Sequence, residues 1–158
     1  MDVAITTKTE PQHLGEMCGS AMPAWLYLVR VYDKMQRHLM DHLDSYDLTI
    51  AQYDVLAALS VTPGITQQAL AGQLLVTKGN IVKLIDRLSA HELVERRCDP
   101  GDRRSNLLYL TPEGERVAKE AVPAYAEFIQ EHMSGLTPQQ LAALRDMLLQ
   151  LNNTIHSH

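Results

Sequence analysis

The stretch from Leu93 to Leu110 narrows the fold of this chain more than any other. Leu93-Val94-Glu95-Arg96-Arg97-Cys98 and Asn106-Leu107-Leu108-Tyr109-Leu110 read as two strands. Between them, Asp99-Pro100-Gly101-Asp102-Arg103-Arg104-Ser105 concentrates the residues that turns demand. Proline presets φ, glycine admits the left-handed region, and aspartate bonds the backbone two residues on. The hairpin this predicts follows two short helices, and a hairpin in that place is the wing of a winged helix-turn-helix. The expected fold class is mainly α with a small β-hairpin wing.

Helix start signals divide the remainder. Thr66 is an N-cap for a short helix, Gln67 to Gln73, expected to bury Ala69, Leu70 and Leu74. Thr77 caps the next, which runs to about Ala90. Its apolar face is Ile81, Leu84, Ile85 and Leu88, while Asn80, Lys83 and Arg87 fall on a different face. Upstream, Thr49-Ile50-Ala51-Gln52 is a capping box opening a helix with Tyr53, Leu56, Ala57 and Leu59, which Thr62-Pro63-Gly64 ends. A longer helix begins near Ala21 and lines Trp25, Leu28, Tyr32, Met35, Leu39 and His42 on one face. After the wing, Thr111-Pro112-Glu113 starts another helix, with Pro123 a candidate kink. Thr137-Pro138-Gln139-Gln140 opens the last, whose Leu141, Leu144, Leu148, Leu151 and Ile155 form a stripe that calls for a partner helix. Residues 1–20 read as a flexible arm.

Charge points the same way. From Thr77 to Arg104 there are seven of the chain's 14 Lys+Arg against five acids, a local net of +2 on a chain of net charge −5. A cationic island on an acidic protein suits a polyanion, because lysine and arginine neutralise phosphates and release counterions. No apolar run reaches the roughly 18–20 residues of a membrane span, and the N-terminus lacks a signal-peptide core. The expectation is a cytoplasmic protein with no membrane partner. Cys18 and Cys98 have neither metal nor disulfide-framework spacing.

The segment Leu93 to Gly114, with Asp-Pro-x-Asp-Arg-Arg and then Leu-Thr-x-x-Gly, resembles the winged-helix signature of the MarR family of bacterial transcription regulators. Leu74-Leu75-Val76-Thr77 and Ile81-Val82-Lys83-Leu84-Ile85-Asp86-Arg87-Leu88 extend the resemblance, which covers about Ala21 to the C-terminus. It implies one domain over residues 21–158, with a winged helix-turn-helix at 47–111 and dimerisation helices at 21–46 and 112–158. It further implies a homodimer that binds a pseudo-palindromic operator in double-stranded DNA, most simply as a repressor of nearby genes. The helix from Thr77 then lies in the major groove with Thr77, Lys78, Asn80 and Lys83 toward the duplex. Gln67 and Gln68 become phosphate contacts at a helix N-terminus. Arg104 matches the family's wing-tip arginine in the minor groove, beside Arg103, with Asp102 holding it in place.

Family members are often switched by a small aromatic or anionic ligand, such as a phenolic or aromatic carboxylate. The candidates for it are Trp25, Arg30, His38 and Tyr53, with Arg30 suited to pair a carboxylate and the rings to stack. A cysteine-based redox sensor of the same fold is an alternative. The reactive-cysteine position of the peroxide-sensing branch falls on Trp25, not Cys18, which leaves Cys98 beside Arg96 and Arg97. His38 and His42, at i, i+4, are too few for a zinc site, and no cofactor is expected. Enzyme signatures are missing from the sequence. A non-DNA helical interaction module would explain the stripes but leaves the arginine-rich turn without a role.

Overall fold

In the computed structural model of the chain the described residues are 21–101 and 105–155. Residues 1–20, expected to be an arm, and the wing-tip candidates Asp102, Arg103 and Arg104 lie outside them. Along the chain come α1 (Ala21–Asp44), α2 (Ile50–Val61), β1 (Ile65–Thr66), α3 (Gln67–Gln73), α4 (Lys78–Ala90), β2 (Val94–Cys98), β3 (Asn106–Leu110), α5 (Pro112–His132) and α6 (Pro138–Ile155). The chain divides into two compact units, the first ending at Ala121 and the second beginning at Val122.

The first unit holds the winged helix-turn-helix. Its core is Leu43, Leu56, Leu59, Leu70, Ile81, Ile85, Leu88 and Leu108, all almost fully buried. Helix α2 buries Tyr53, Val55, Leu56, Ala58 and Leu59, more than one face's worth, as a central helix does. The capping threonines work as expected. The Thr49 hydroxyl accepts from the Gln52 N–H at 3.3 Å while Gln52 Oε1 accepts from the Thr49 N–H at 2.8 Å. Thr66 and Thr77 accept from the N–H groups of Ala69 and Asn80 at 3.2 and 3.3 Å.

Two expectations are corrected. The sheet has three strands, in the order β1-β3-β2 and antiparallel throughout, rather than a two-stranded hairpin. Strand β1 pairs Ile65 with Leu108 and Thr66 with Leu107. Two residues carry no periodicity, and this strand exists because β3 offers an edge. In α3 the buried pair is Leu70 and Ala71, whereas Ala69 is exposed and Leu74 half-buried. A helix of seven residues has room for one narrow buried stripe, and Ala69 falls on its outer side.

Three connections use one device. The Leu48, Val76 and Leu93 N–H groups reach back five residues to Leu43, Ala71 and Leu88 at 3.2, 3.0 and 2.9 Å. The residue before each, Asp47, Leu75 or Glu92, stands at φ 54°, 54° or 57°. This is the Schellman ending of a helix, with a side chain where glycine is usual. It turns the chain sharply from α1 to α2, from α3 to α4, and from α4 into the wing.

The wing joins α5 through Thr111 and Gly114. The Thr111 N–H donates to the Leu93 carbonyl at 3.1 Å, and its hydroxyl donates to the Glu92 carbonyl. The same hydroxyl accepts from the Gly114 N–H at 3.0 Å, capping α5. A Cβ on Gly114 would stand 1.9 Å from the Leu93 carbonyl oxygen. The Leu-Thr-x-x-Gly signature is thus a packing requirement: the threonine binds the strand to the helix, and only glycine lets them approach.

In the second unit α5 continues through Pro123, which removes one helical bond, to the Lys119 carbonyl. Phe128 and His132 stack one turn apart with ring centroids 4.0 Å apart. Gln140 Oε1 accepts from the Thr137 N–H at 2.8 Å, and the Thr137 hydroxyl accepts from the Gln140 N–H at 3.3 Å. Helix α6 buries none of its residues within this chain.

Gly114→Ala is expected to destabilise the fold by about 3 kcal/mol or more, since backbone rather than a flexible side chain must yield. Thermal unfolding followed by circular dichroism would show this as a fall of several degrees in Tm. Asp54, half-buried on α2, is expected to respond to pH. Burial raises its carboxyl pKa above the ordinary value of 3.8. The native state then holds the proton more tightly than the unfolded chain, and its stabilising contribution is lost as pH rises through the folded value. Asp54→Asn should therefore raise Tm at neutral pH, and its advantage should shrink as acidification passes the raised folded value and be gone once the pH is below 3.8.

Candidate nucleic-acid interface

A groove opens in the first unit where the start of α3, the first turns of α4 and the base of the wing converge. Thr66, Gln67, Gln68, Ala69, Lys78, Ile81, Val82, Ser105 and Asn106 line it. Each wall follows from local chemistry. Thr66 ends β1 and caps α3, so Gln67 and Gln68 stand on a first helical turn whose N–H groups point outward. The left-handed Leu75 turns the chain so that α4 starts close by, and Thr77 caps it just before Lys78. Among the described residues the lining contains one cation and no acid, so their field favours an anion.

The wing is closed at its stem by the Asp99 N–H donating to the Ser105 carbonyl at 3.1 Å. Asp99 Oδ1 accepts from the Gly101 N–H at 2.8 Å, an Asx turn. Ser105 belongs to the groove wall, so the Asp102-Arg103-Arg104 run is next to that wall in sequence.

Arg96 and Arg97 point to opposite sides of β2, as strand alternation requires. Arg96 Nη2 bonds Asp86 Oδ1 of α4 at 2.5 Å, tying the wing strand to that helix. Arg97 Nε bonds Glu95 Oε1 at 2.9 Å, and its guanidinium stands 4.2 Å from the centroid of the Tyr109 ring. Both cations are engaged by carboxylates of the same chain. Asp86 of α4 thus has its ion pair with a residue of the wing strand.

Of the sequence candidates, the groove brings together Gln67, Gln68 and Lys78. Thr77 spends its hydroxyl on capping, and Asn80 and Lys83 are exposed on α4 outside the groove lining. Sequence reasoning missed Val82, Asn106 and the Asp86–Arg96 pair. Val82 was findable, four residues after Lys78 and so on its face of the helix. Asp86–Arg96 was not, because nothing at ten residues' separation foretells contact between a helix and a strand.

The effector candidates do not form one cluster within a chain. Trp25 and His38 are thirteen residues apart on α1, roughly 20 Å along its axis, more than a small aromatic acid can span. Trp25 is 57% exposed, while the Tyr53 ring is part of the core. Cys98 is a free, exposed thiol at the end of β2, opposite Asn106. The neighbouring arginines that were to activate it are occupied by Asp86 and Glu95. Among the described residues no group of three or more His, Cys, Asp and Glu could hold a metal ion, and no helix is long and apolar enough to cross a membrane.

A helix-turn-helix with a wing, joined by a groove whose described lining offers a cation and amides, is the architecture of a DNA-binding transcription regulator. Residues 46–105 match the model of the MarR family. The uncharacterized HTH-type transcriptional regulator YsmB of Bacillus subtilis is 32% identical over 111 residues, covering 70% of this chain and 76% of its own. A variant of Escherichia coli MarR solved with operator DNA has a TM-score of 0.77 at 28% identity, covering 87% of this chain and 96% of its own. BpsR of Bordetella bronchiseptica, from a structure on regulation of its DNA binding by 6-hydroxynicotinic acid, has a TM-score of 0.71 at 28% identity, covering 80% and 96%. The chain belongs to the MarR family of winged helix-turn-helix transcriptional regulators.

The Asp86–Arg96 pair is only partly shielded, with side chains 57% and 29% exposed, so solvent screens much of its attraction. A double-mutant cycle with Asp86→Ala and Arg96→Ala, read by denaturant unfolding, should give a coupling energy of about 0.5 kcal/mol.

Proposed function

We propose that the protein is a homodimeric repressor of nearby genes that binds a pseudo-palindromic operator and is released by a phenolic or aromatic carboxylate. The observation that carries the DNA reading is the groove uniting Gln67, Gln68 and Lys78 at the base of the wing, with no acid among its described lining residues. In this reading α4 enters the major groove, with Lys78, Asn80 and Lys83 toward bases and phosphates and Thr77 fixing the helix start. Gln67 and Gln68 meet phosphate from the start of α3. Arg104, oriented by Asp102 and accompanied by Arg103, occupies the minor groove beyond the wing.

A second copy of the chain is supported by apolar surface left open. Trp25, Leu28, Val31 and Tyr32 on α1, and Leu148, Leu151 and Ile155 on α6, are all exposed in one chain. Burying such stripes between two copies gives a symmetric interface, and the paired wings then meet two half-sites. The aromatic-acid effector is supported by BpsR, whose DNA binding is regulated by 6-hydroxynicotinic acid. Arg30 is the carboxylate partner in this reading and Trp25 the stacking ring; His38 drops out on distance.

Fluorescence anisotropy against the chain's own upstream DNA across a salt series tests the whole reading. The parent should bind tightly and lose affinity steeply with salt. Arg104→Ala and Lys78→Ala should each weaken binding and lower the salt slope by about one. An aromatic carboxylate should release the parent, and Arg30→Ala should be indifferent to it. Salt slopes unchanged in both cation variants would overturn the interface, and indifference of the parent to a broad aromatic-acid panel would overturn the effector.

A further inference from the structure

Val82 is an anomaly on α4. The helix buries Ile81, Ile85 and Leu88 almost completely, yet Val82 is 42% exposed. It faces the groove beside Lys78, one helical turn back, with Gln67, Gln68 and Asn106 around the same opening. A β-branched residue has lower helix propensity than alanine, and at an exposed site burial does not offset that cost. An apolar side chain among donors and acceptors would find compensation in an apolar surface brought by the ligand.

Duplex DNA offers one such surface in the major groove, the 5-methyl group of thymine. We propose that Val82 is a specificity-determining residue that packs against a thymine methyl in each operator half-site. The inference rests on the DNA reading above and deepens it. Lys78 and the two glutamines supply charge and hydrogen bonds, which purines and phosphates accept on many sequences. Val82 supplies the contact that distinguishes thymine from cytosine, whose 5-position lacks the methyl group. Ala69, small and exposed on the facing wall, leaves space for a base edge to reach it.

The test uses the full chain and operators in which each thymine is replaced singly by deoxyuridine, which removes only the methyl. One thymine per half-site should weaken binding of the parent about fourfold, the fold-change of roughly 0.8 kcal/mol for one buried methyl. Val82→Ala should show no such loss at that position while keeping the parent's salt slope, since no charge changes. Its melting curve, followed in parallel, should stay close to the parent's because Val82 is outside the core. Uniform tolerance of deoxyuridine by the parent, or the same position-specific loss in Val82→Ala, would overturn the proposal while leaving the DNA reading intact. Failure of the parent to bind any duplex would overturn both.

Discussion

The carbonyl of Leu93 is the joint on which the DNA-binding unit turns. It accepts from the Thr111 N–H, and Gly114 passes so close that any side chain there would strike it. Because Thr111 also caps α5 and bonds the Glu92 carbonyl, one residue fixes the end of α4, the start of β2 and the start of α5. The wing leaves α4 through a left-handed Glu92 and re-enters α5 through this joint. Its angle to α4 is therefore set at the stem, by hydrogen bonds and contact, before any cation at the tip is considered. The Arg96–Asp86 pair adds a second tie between the same two elements, farther along β2.

Much of this was legible beforehand because its signals are local. Thr49, Thr66, Thr77 and Thr137 each stand where a helix begins, and hydroxyl capping acts over three residues. Helix α3 was located to the residue for the same reason. Strand β1 was not legible, because two residues have no pattern and the partner that makes them a strand lies some forty residues downstream. The burial of Ala71 in place of Ala69 shows the same limit: periodicity gives a stripe, and the neighbours decide which side of a short helix it occupies.

The site shows a sharper division. Gln67, Gln68 and Lys78 were singled out by helix position and chemistry, and the structure brings these three candidates to one groove. The effector set was assembled from residue types alone, and geometry separates its members along α1. Spacing along a helix converts directly into distance, so that separation could have been seen from the residue numbers.

The cationic island also resolves into two kinds of charge. Arg96 and Arg97 are paired with Asp86 and Glu95; the first pair ties β2 to α4 and the second lies along β2 itself. Lys78, Lys83 and Arg87 have no ion pair among the described residues. The local excess of +2 therefore understates what a phosphate meets, because the acids in the window are not spread evenly over its cations. Two of the five, Asp86 and Glu95, are paired with arginines of β2 at the surface, and Asp99 accepts from the Gly101 N–H in the wing turn. An acidic chain can in this way present a locally basic surface: two carboxylates of the window are placed on the arginines of β2, which leaves Lys78 of the groove and Lys83 beyond it without an ion pair among the described residues.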